Sequence, residues 1–265
     1  MQNLYFSALL PKKFPKAFLK IQNALEKYNI SFCLIENTKD IWCRDYMPIK
    51  IEKNKYVQFK YEPDYLKGYE YIKTNPLLLH KQLDIKPLVC NINIDGGNVV
   101  KNSKTAVMTD KIFSENPQFD RDDLVEKLKE ILELDMLIIV PKQPYDMFGH
   151  SDSMVRFVDN KILVNDFSIE SKSYNKKFFK VFEKYDLDYV QIKYSDEFLK
   201  KYTWGAYLNF IEVDNILFVP VYGIEEDEKV LKFFRKILPQ KIIEPIEIPE
   251  IIDEGGALHC ISWVR

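Results

Sequence analysis

One structural unit recurs along this chain, and its recurrence constrains the fold more than any single residue does. The unit reads as a short loop, two β-like runs joined by a tight polar turn, an amphipathic helix, and a further β-like run. Its clearest copy opens at Asn98. Residues 98–100 and 105–109 flank the turn 101–104, Leu124, Leu128, Ile131 and Leu132 line one helical face, and 136–140 reads as a buried strand. The next copy has runs 154–158 and 162–164 around Asp159-Asn160, a helical stripe of Phe178, Val181, Phe182 and Tyr185, and a strand at 189–192. The third has 207–213 and 216–219 around Asp214-Asn215, the stripe Val230, Phe234, Ile237 and Leu238, and a strand at 242–248 in which Pro245 predicts an edge or a bulge.

The two chain ends complete a fourth copy if they pair. Residues 258–264 and 4–10 supply its hairpin arms, Ala17, Ile21, Ala24, Leu25 and Tyr28 its helical face, and 32–35 its last strand. A fifth, weaker copy has hairpin arms 48–52 and 56–61, a strand at 89–94, and a helix that Pro76 is expected to break. Five such units account for residues 1–265 with no linker. The expectation is therefore one α/β domain of five pseudo-symmetric blades, closed by pairing of the N- and C-terminal strands. Periodicity alone does not separate this from an ordinary open α/β sheet.

The rare residues separate the two. The chain has only 8 glycines, and six of them are Gly96, Gly97, Gly149, Gly205, Gly255 and Gly256. They lie in segments that lead into the hairpins: Trp42-Cys43-Arg44-Asp45, Asp95-Gly96-Gly97-Asn98, Gly149-His150-Ser151-Asp152, Trp204-Gly205-Ala206-Tyr207-Leu208-Asn209, and Gly255-Gly256-Ala257-Leu258-His259-Cys260. In a ring of equivalent units, equivalent segments meet around one axis.

Composition narrows the partners. Lys+Arg 38 against Asp+Glu 40 leaves a formal charge of −2, so there is no excess positive field for nucleic acid or an anionic membrane. No stretch approaches the roughly 18 apolar residues that span a bilayer. Residues 4–10 are apolar without a basic region before them, a poor secretion signal, so a cytoplasmic protein is expected. The 4 cysteines form no C-x-x-C and no disulfide framework, and the 3 histidines form no zinc signature. No metal and no cofactor are expected.

Cys260 is the sharpest nucleophile candidate, because thiolate is a strong nucleophile and the Gly255-Gly256 lead-in lets the backbone approach a ligand closely. A cysteine in a terminal β-run is more often an inert small hydrophobe, the reading given to Cys33 and Cys90, and Cys43 is taken as structural. His150 is the acid/base candidate, with Asp152 two residues on and projecting to the same side if the segment is extended. His259 would then face away from Cys260. Asp45 and Asp152 are paired acceptors of the kind a planar guanidinium requires, and Trp42 could offer its face to the same cation. Core packing for Trp42 and an ion pair for Arg44-Asp45 are equally open. Asp95 could hold a cationic part of the substrate or shape its turn, and Asn209 could orient a catalytic group or cap a bend.

Trp42-x-Arg44-Asp45, Asp95-Gly96-Gly97-Asn98, Gly149-His150-x-Asp152, Tyr207-Leu208-Asn209-Phe210 and Gly255-Gly256-x-x-His259-Cys260, in this order, resemble the agmatine deiminase and bacterial (Porphyromonas-type) peptidylarginine deiminase family. That family belongs to the guanidino-modifying penteins, with a five-bladed α/β-propeller. The resemblance implies Cys260 as nucleophile, His150 as acid/base, Asp45 and Asp152 as guanidinium carboxylates, Trp42 as a wall, and Asp95, Asn209 and Gly256 as further substrate-site residues. It implies hydrolysis of a small guanidino substrate, first agmatine to N-carbamoylputrescine and ammonia, through a Cys-thiouronium intermediate, and leaves a homodimer open. The chain departs from the family in its compact length, in lacking an opening tryptophan-proline segment, and in having Glu254 and Ala257 where glycine is usual. These departures bear on substrate more than on reaction. Peptidyl-arginine or free arginine is the alternative substrate, amidino transfer the alternative reaction, and a binding module the non-enzymatic reading. The presence of all four catalytic residues weighs against the last.

Overall fold

A computed structural model of the chain describes residues 4–202 and 204–265; residues 1–3 and 203 of the expected 1–265 domain lie outside the described residues. Local backbone chemistry sets the repeat. Asn54, Asp159 and Asp214 take φ of +64°, +51° and +53° in three hairpin turns, the left-handed conformation that Asn and Asp tolerate best among residues with a side chain. Helix ends repeat as well. Asn29, Asp84, Glu133 and Asp186 are left-handed, and the next N–H, of Ile30, Ile85, Leu134 and Leu187, reaches back to the carbonyls of Leu25, His80, Lys129 and Phe182 at 3.0, 3.0, 2.8 and 3.0 Å. In the remaining copy Pro239 follows the helix, and a plain turn from Lys241 N to Leu238 O (3.0 Å) replaces this motif.

The result is five three-stranded sheets of one topology: an antiparallel hairpin, a crossover helix, and a third strand parallel to the second. The chain divides into two compact units. The first unit, residues 1–44 and 192–265, holds two sheets. In one, Leu4–Ser7 pairs antiparallel with Ser262–Val264, Tyr5 opposite Trp263, and parallel with Phe32–Ile35. The expected pairing of the chain ends is therefore present. In the other, Ile216–Val221 lies between Ile211–Val213 and Ile242–Glu247. Pro245 is on the edge strand, as a residue without an N–H requires. Helix Pro15–Lys27 buries Ala17, Phe18, Ile21, Ala24 and Leu25, and Phe6, Phe18 and Phe32 meet edge-to-face at 5.5–6.2 Å.

The second unit, residues 45–191, holds the other three sheets: Ile49–Glu52, Lys55–Lys60 and Leu88–Asn93; Val100–Lys101, Thr105–Thr109 and Met136–Val140; and Val155–Val158, Lys161–Val164 and Tyr189–Gln191. Leu124, Leu128 and Leu132 of helix Arg121–Leu132 pack with Ala106, Met108 and Leu137 in one core cluster, and Phe178 and Phe182 of helix Lys172–Lys184 pack with Ile138, Val155 and Val164 in another. Each buried Leu or Phe contributes about 1.5–3 kcal/mol of transfer free energy.

Two expectations are corrected. Pro76 opens helix Pro76–Gln82 instead of breaking it, because the N–H that proline lacks has no partner at a first helical position, and the Asn75 side chain accepts the Leu77 N–H at 3.1 Å. The entry segments are not extended. Gly96–Asn98, Ser151–Ser153 and Ala206–Leu208 each form a single 3-10 turn, and the expected strand 258–264 begins only at Ser262, with Ile261 N bonded to Ala257 O at 3.2 Å.

Candidate active site

Within the second unit, two of these turns stand on one strand. Asn98 Oδ1 accepts the Thr109 N–H at 2.8 Å, Thr109 Oγ1 donates to Gly149 O at 2.6 Å, and Ser151 Oγ donates to Val107 O at 3.0 Å. Strand Thr105–Thr109 thereby fixes Asp95 and His150, the residues that lead into the two turns. His150 Nε2 donates to Asp95 Oδ2 at 3.1 Å, and its Nδ1 lies 3.6 Å from Asp45 Oδ1. Asp45 Oδ1 in turn accepts the Gly97 N–H at 3.1 Å. A Cβ on Gly97 would stand 2.5 Å from His150 Nδ1 and 2.7 Å from Asp45 Oδ1, so only glycine lets the backbone pass here.

Burial alone would push His150 down, but the charge of Asp45, then the hydrogen bond and charge of Asp95, then Asp152, outweigh it and raise it to about 10. The imidazole is therefore a cation at neutral pH. Tyr65 and Phe148 pack edge-to-face at 4.9 Å and lie 6.1 and 6.0 Å from the His150 ring. Burial and the charges of Asp95 and Asp45 hold the Tyr65 phenol protonated well above its ordinary range. Asp152 is buried, but in a 3-10 turn, so the same-side relation expected of a strand does not arise. The carboxylates facing the two ring nitrogens come from Asp45 and Asp95. Sequence reasoning missed the surroundings altogether: Lys111, Glu115, Tyr65 and Phe148. A Lys–Glu pair at i, i+4 reads as an exposed helix pair, yet the Lys111 and Glu115 side chains are 3% and 4% exposed.

Within the first unit, Cys260 is buried and clamped by Asn209. Asn209 Nδ2 donates to Cys260 Sγ at 3.1 Å, Cys260 N donates to Asn209 Oδ1 at 3.1 Å, and His259 N donates to Asn209 O at 2.9 Å. An amide N–H aimed at sulfur favours the thiolate over the thiol. Asn209 is itself set by the turn before it. Tyr207 Oη donates to Asp227 Oδ1 at 2.9 Å, Asp227 Oδ2 accepts the Gly223 and Ile224 N–H groups at 2.7 and 2.8 Å, and Ala206 N donates to Tyr222 Oη at 2.8 Å. Trp42 packs on Gly256, where a Cβ would come within 2.3 Å of the indole. The Trp42 backbone N–H donates to Asp40 Oδ1 at 2.8 Å, and burial, partly opposed by that hydrogen bond, pushes Asp40 up to about 6. The segment before Ser262 is a turn, so strand alternation does not orient His259. Cys43 is buried, whereas Cys33 is exposed on its strand. Among the described residues, no group of three or more His, Cys, Asp or Glu side chains could hold a metal ion, and no helix is long and apolar enough to cross a membrane.

A sulfur held by an amide, an imidazolium between carboxylates, and five repeats of one ββαβ unit define a protein of the pentein class, the five-fold pseudo-symmetric α/β fold. C. jejuni agmatine deiminase shares that fold, with a TM-score of 0.78 at 21% identity over 99% of this chain and 92% of that one. So does the agmatine deiminase of Enterococcus faecalis, with a TM-score of 0.75 at 16% identity over 99% and 92%. The chain belongs to the Porphyromonas-type peptidyl-arginine deiminase family, whose sequence model matches residues 14–264. A Streptococcus mutans protein provisionally named an agmatine deiminase is 24% identical over a match 205 positions long that covers 64% of this chain. The matched stretch spans about half of that relative, 55% of its length.

Proposed function

We propose that this protein is a guanidine deiminase, a hydrolase of C–N bonds in linear amidines, with agmatine as substrate. The observation that carries this reading is the buried Cys260 sulfur receiving the Asn209 N–H. The His150 cation between Asp45 and Asp95 supports it, as do the family membership and the agmatine deiminase names of the relatives.

In this mechanism Asp45 and Asp152 accept the guanidinium N–H groups and Trp42 walls the site. The Cys260 thiolate attacks the guanidinium carbon, forming a C–S bond. His150, charged at neutral pH, gives its proton to the departing nitrogen; the C–N bond breaks and ammonia leaves. The now neutral His150 takes a proton from water as the water oxygen attacks the S-alkylthiouronium carbon. The C–S bond breaks as the adduct's hydroxyl proton passes to solvent, thiolate is regenerated, and the ureido product, N-carbamoylputrescine from agmatine, is released. The mechanism uses no metal or cofactor, takes residues 1–265 as one catalytic domain, and suits a reducing compartment such as the cytoplasm, where the Cys260 thiol stays unoxidised.

The test is incubation of the purified protein, thiols reduced, with agmatine, free arginine and an arginine peptide, with assays for ureido product and ammonia. Equimolar carbamoylputrescine and ammonia from agmatine is the expected result. Turnover of another guanidine alone replaces the substrate, and no turnover of any guanidine overturns the reading.

A further inference from the structure

Lys111 opens the short helix Lys111–Glu115 directly behind the turn that carries His150, and it is only 4% exposed. A lysine this deep needs partners, and it has them on every side. Its Nζ lies 3.1 Å from Asp64 Oδ1, 3.2 Å from Glu115 Oε1 and 3.9 Å from Asp95 Oδ2. It donates to Phe148 O at 2.8 Å and sits 4.6 Å from the centre of the Tyr65 ring. Gly149 makes room for its stem, since a Cβ there would stand 2.8 Å from Lys111 Cδ, and its φ of +64° suits glycine. The glycine before His150 thus serves the lysine.

The oxygen that matters is Asp95 Oδ2, which both Lys111 Nζ and His150 Nε2 address. The carboxylate is buried, and Tyr65 also hydrogen-bonds to it, so the lysine and the histidine share its hold with the phenol. We propose that Lys111 is a positioning residue: its ammonium, clamped by Glu115 and Asp64, fixes Asp95 against His150 and offsets part of the negative field there, so that the imidazolium can release its proton within the working pH range. This deepens the deiminase reading and rests on it for the kinetic consequence alone; the electrostatic coupling stands without it.

The charged and titratable groups facing the pair are Asp45, Asp95, Asp152, Tyr65 and, on the backbone N–H, Asp146 around His150, and Asp64, Asp95, Glu115 and Tyr65 around Lys111. Burial alone would push Lys111 down, but Glu115, Asp95 and Asp64 hold it above its ordinary value, and burial with Asp95 raises Glu115 to about 7. In the range where His150 titrates, Glu115 is therefore ionised and Lys111 charged. Removing either moves His150, in opposite directions.

The experiment follows the His150 ring by NMR in the Cys260→Ala protein, from pH 6 to 11, with the His150 signal identified among the 3 histidines by its loss in a His150→Gln variant. Lys111→Met should raise the His150 midpoint by about one unit and Glu115→Gln should lower it by a similar amount, while Lys111→Arg stays near the parent. In proteins that retain Cys260, the falling limb of kcat against pH, which reports loss of the His150 proton, should move in the same order. Unchanged midpoints in both Lys111→Met and Glu115→Gln, or movement in one direction, overturn the proposal, because a merely structural lysine predicts no opposed pair. Should Lys111→Met fail to fold by circular dichroism, Glu115→Gln decides alone: a lowered midpoint supports the coupling and an unmoved one removes it. Opposed shifts in a protein that turns over no guanidine uphold the coupling and sink the deiminase reading instead.

Discussion

The two units present opposite kinds of chemistry. Around Cys260 the partners that the structure shows are the Asn209 amide and backbone groups, which carry no formal charge. Around His150 they are carboxylates and a buried lysine, and the ring is held by charge. Hydrogen bonds between neutral groups depend steeply on geometry and little on pH, whereas a charged cluster is set by the protonation of every member. Damage to the first region should therefore show in the reactivity of sulfur, and damage to the second in the pH dependence of the protein.

The sharpest break is Cys260→Ala, which should remove ammonia release below detection while the circular dichroism spectrum and unfolding midpoint stay close to the parent. Residual turnover of any guanidine substrate would transfer the nucleophile's role elsewhere. Next in size, Asp45→Asn removes the charge that contributes most to keeping His150 cationic. Its kcat/KM should fall by about a hundredfold at neutral pH and its His150 midpoint should drop, read by pH-rate profiles and by NMR. An unmoved midpoint would break the charged side of the comparison.

Two glycines, one in each unit, give a matched pair. Gly97→Ala pushes a methyl into His150 and Asp45, and Gly256→Ala pushes one into Trp42. Gly97→Ala should shift the pH profile, and Gly256→Ala should raise KM by about tenfold with the profile in place. The same profile shift from both would erase the distinction between the regions.

The smallest effect is in stability. Asp40 is raised to about 6 and Glu115 to about 7, so each favours folding most below its ordinary carboxylate pKa, and that contribution is lost as pH rises through about 6 and about 7. His150, raised to about 10 from 6.5, contributes stability fully present below about 6.5 and lost as pH rises through about 10. Thermal unfolding should therefore show Tm declining up to about pH 7 through the two carboxylates and on to about pH 10 through His150, then levelling as far as these groups are concerned. Asp40→Asn should flatten part of the first decline, and an unaltered slope would show that Asp40 is not desolvated as described.

Much of this is legible in the amino-acid sequence. Asp159 and Asp214 mark their hairpin turns because the left-handed conformation is a property of a residue and its neighbours, and Pro245 marks an edge because a missing N–H is missing everywhere. The 3-10 turns were not legible: three residues such as Gly96–Asn98 carry no periodicity to read. Reading those segments as extended paired His150 with Asp152 along a strand, when the ring nitrogens face Asp45 and Asp95.

The order of elements, the five entry motifs and the identity of the sulfur, imidazole and carboxylate groups belong to the amino-acid sequence, since each depends on residues close together along the chain. Which carboxylate meets which ring nitrogen, and that Lys111 lies buried behind Asp95, are matters of tertiary structure. Contacts such as Gly97 to Asp45 and His150 to Asp95 join residues 52 and 55 positions apart, and protonation follows the summed field and solvent exclusion of all of them together.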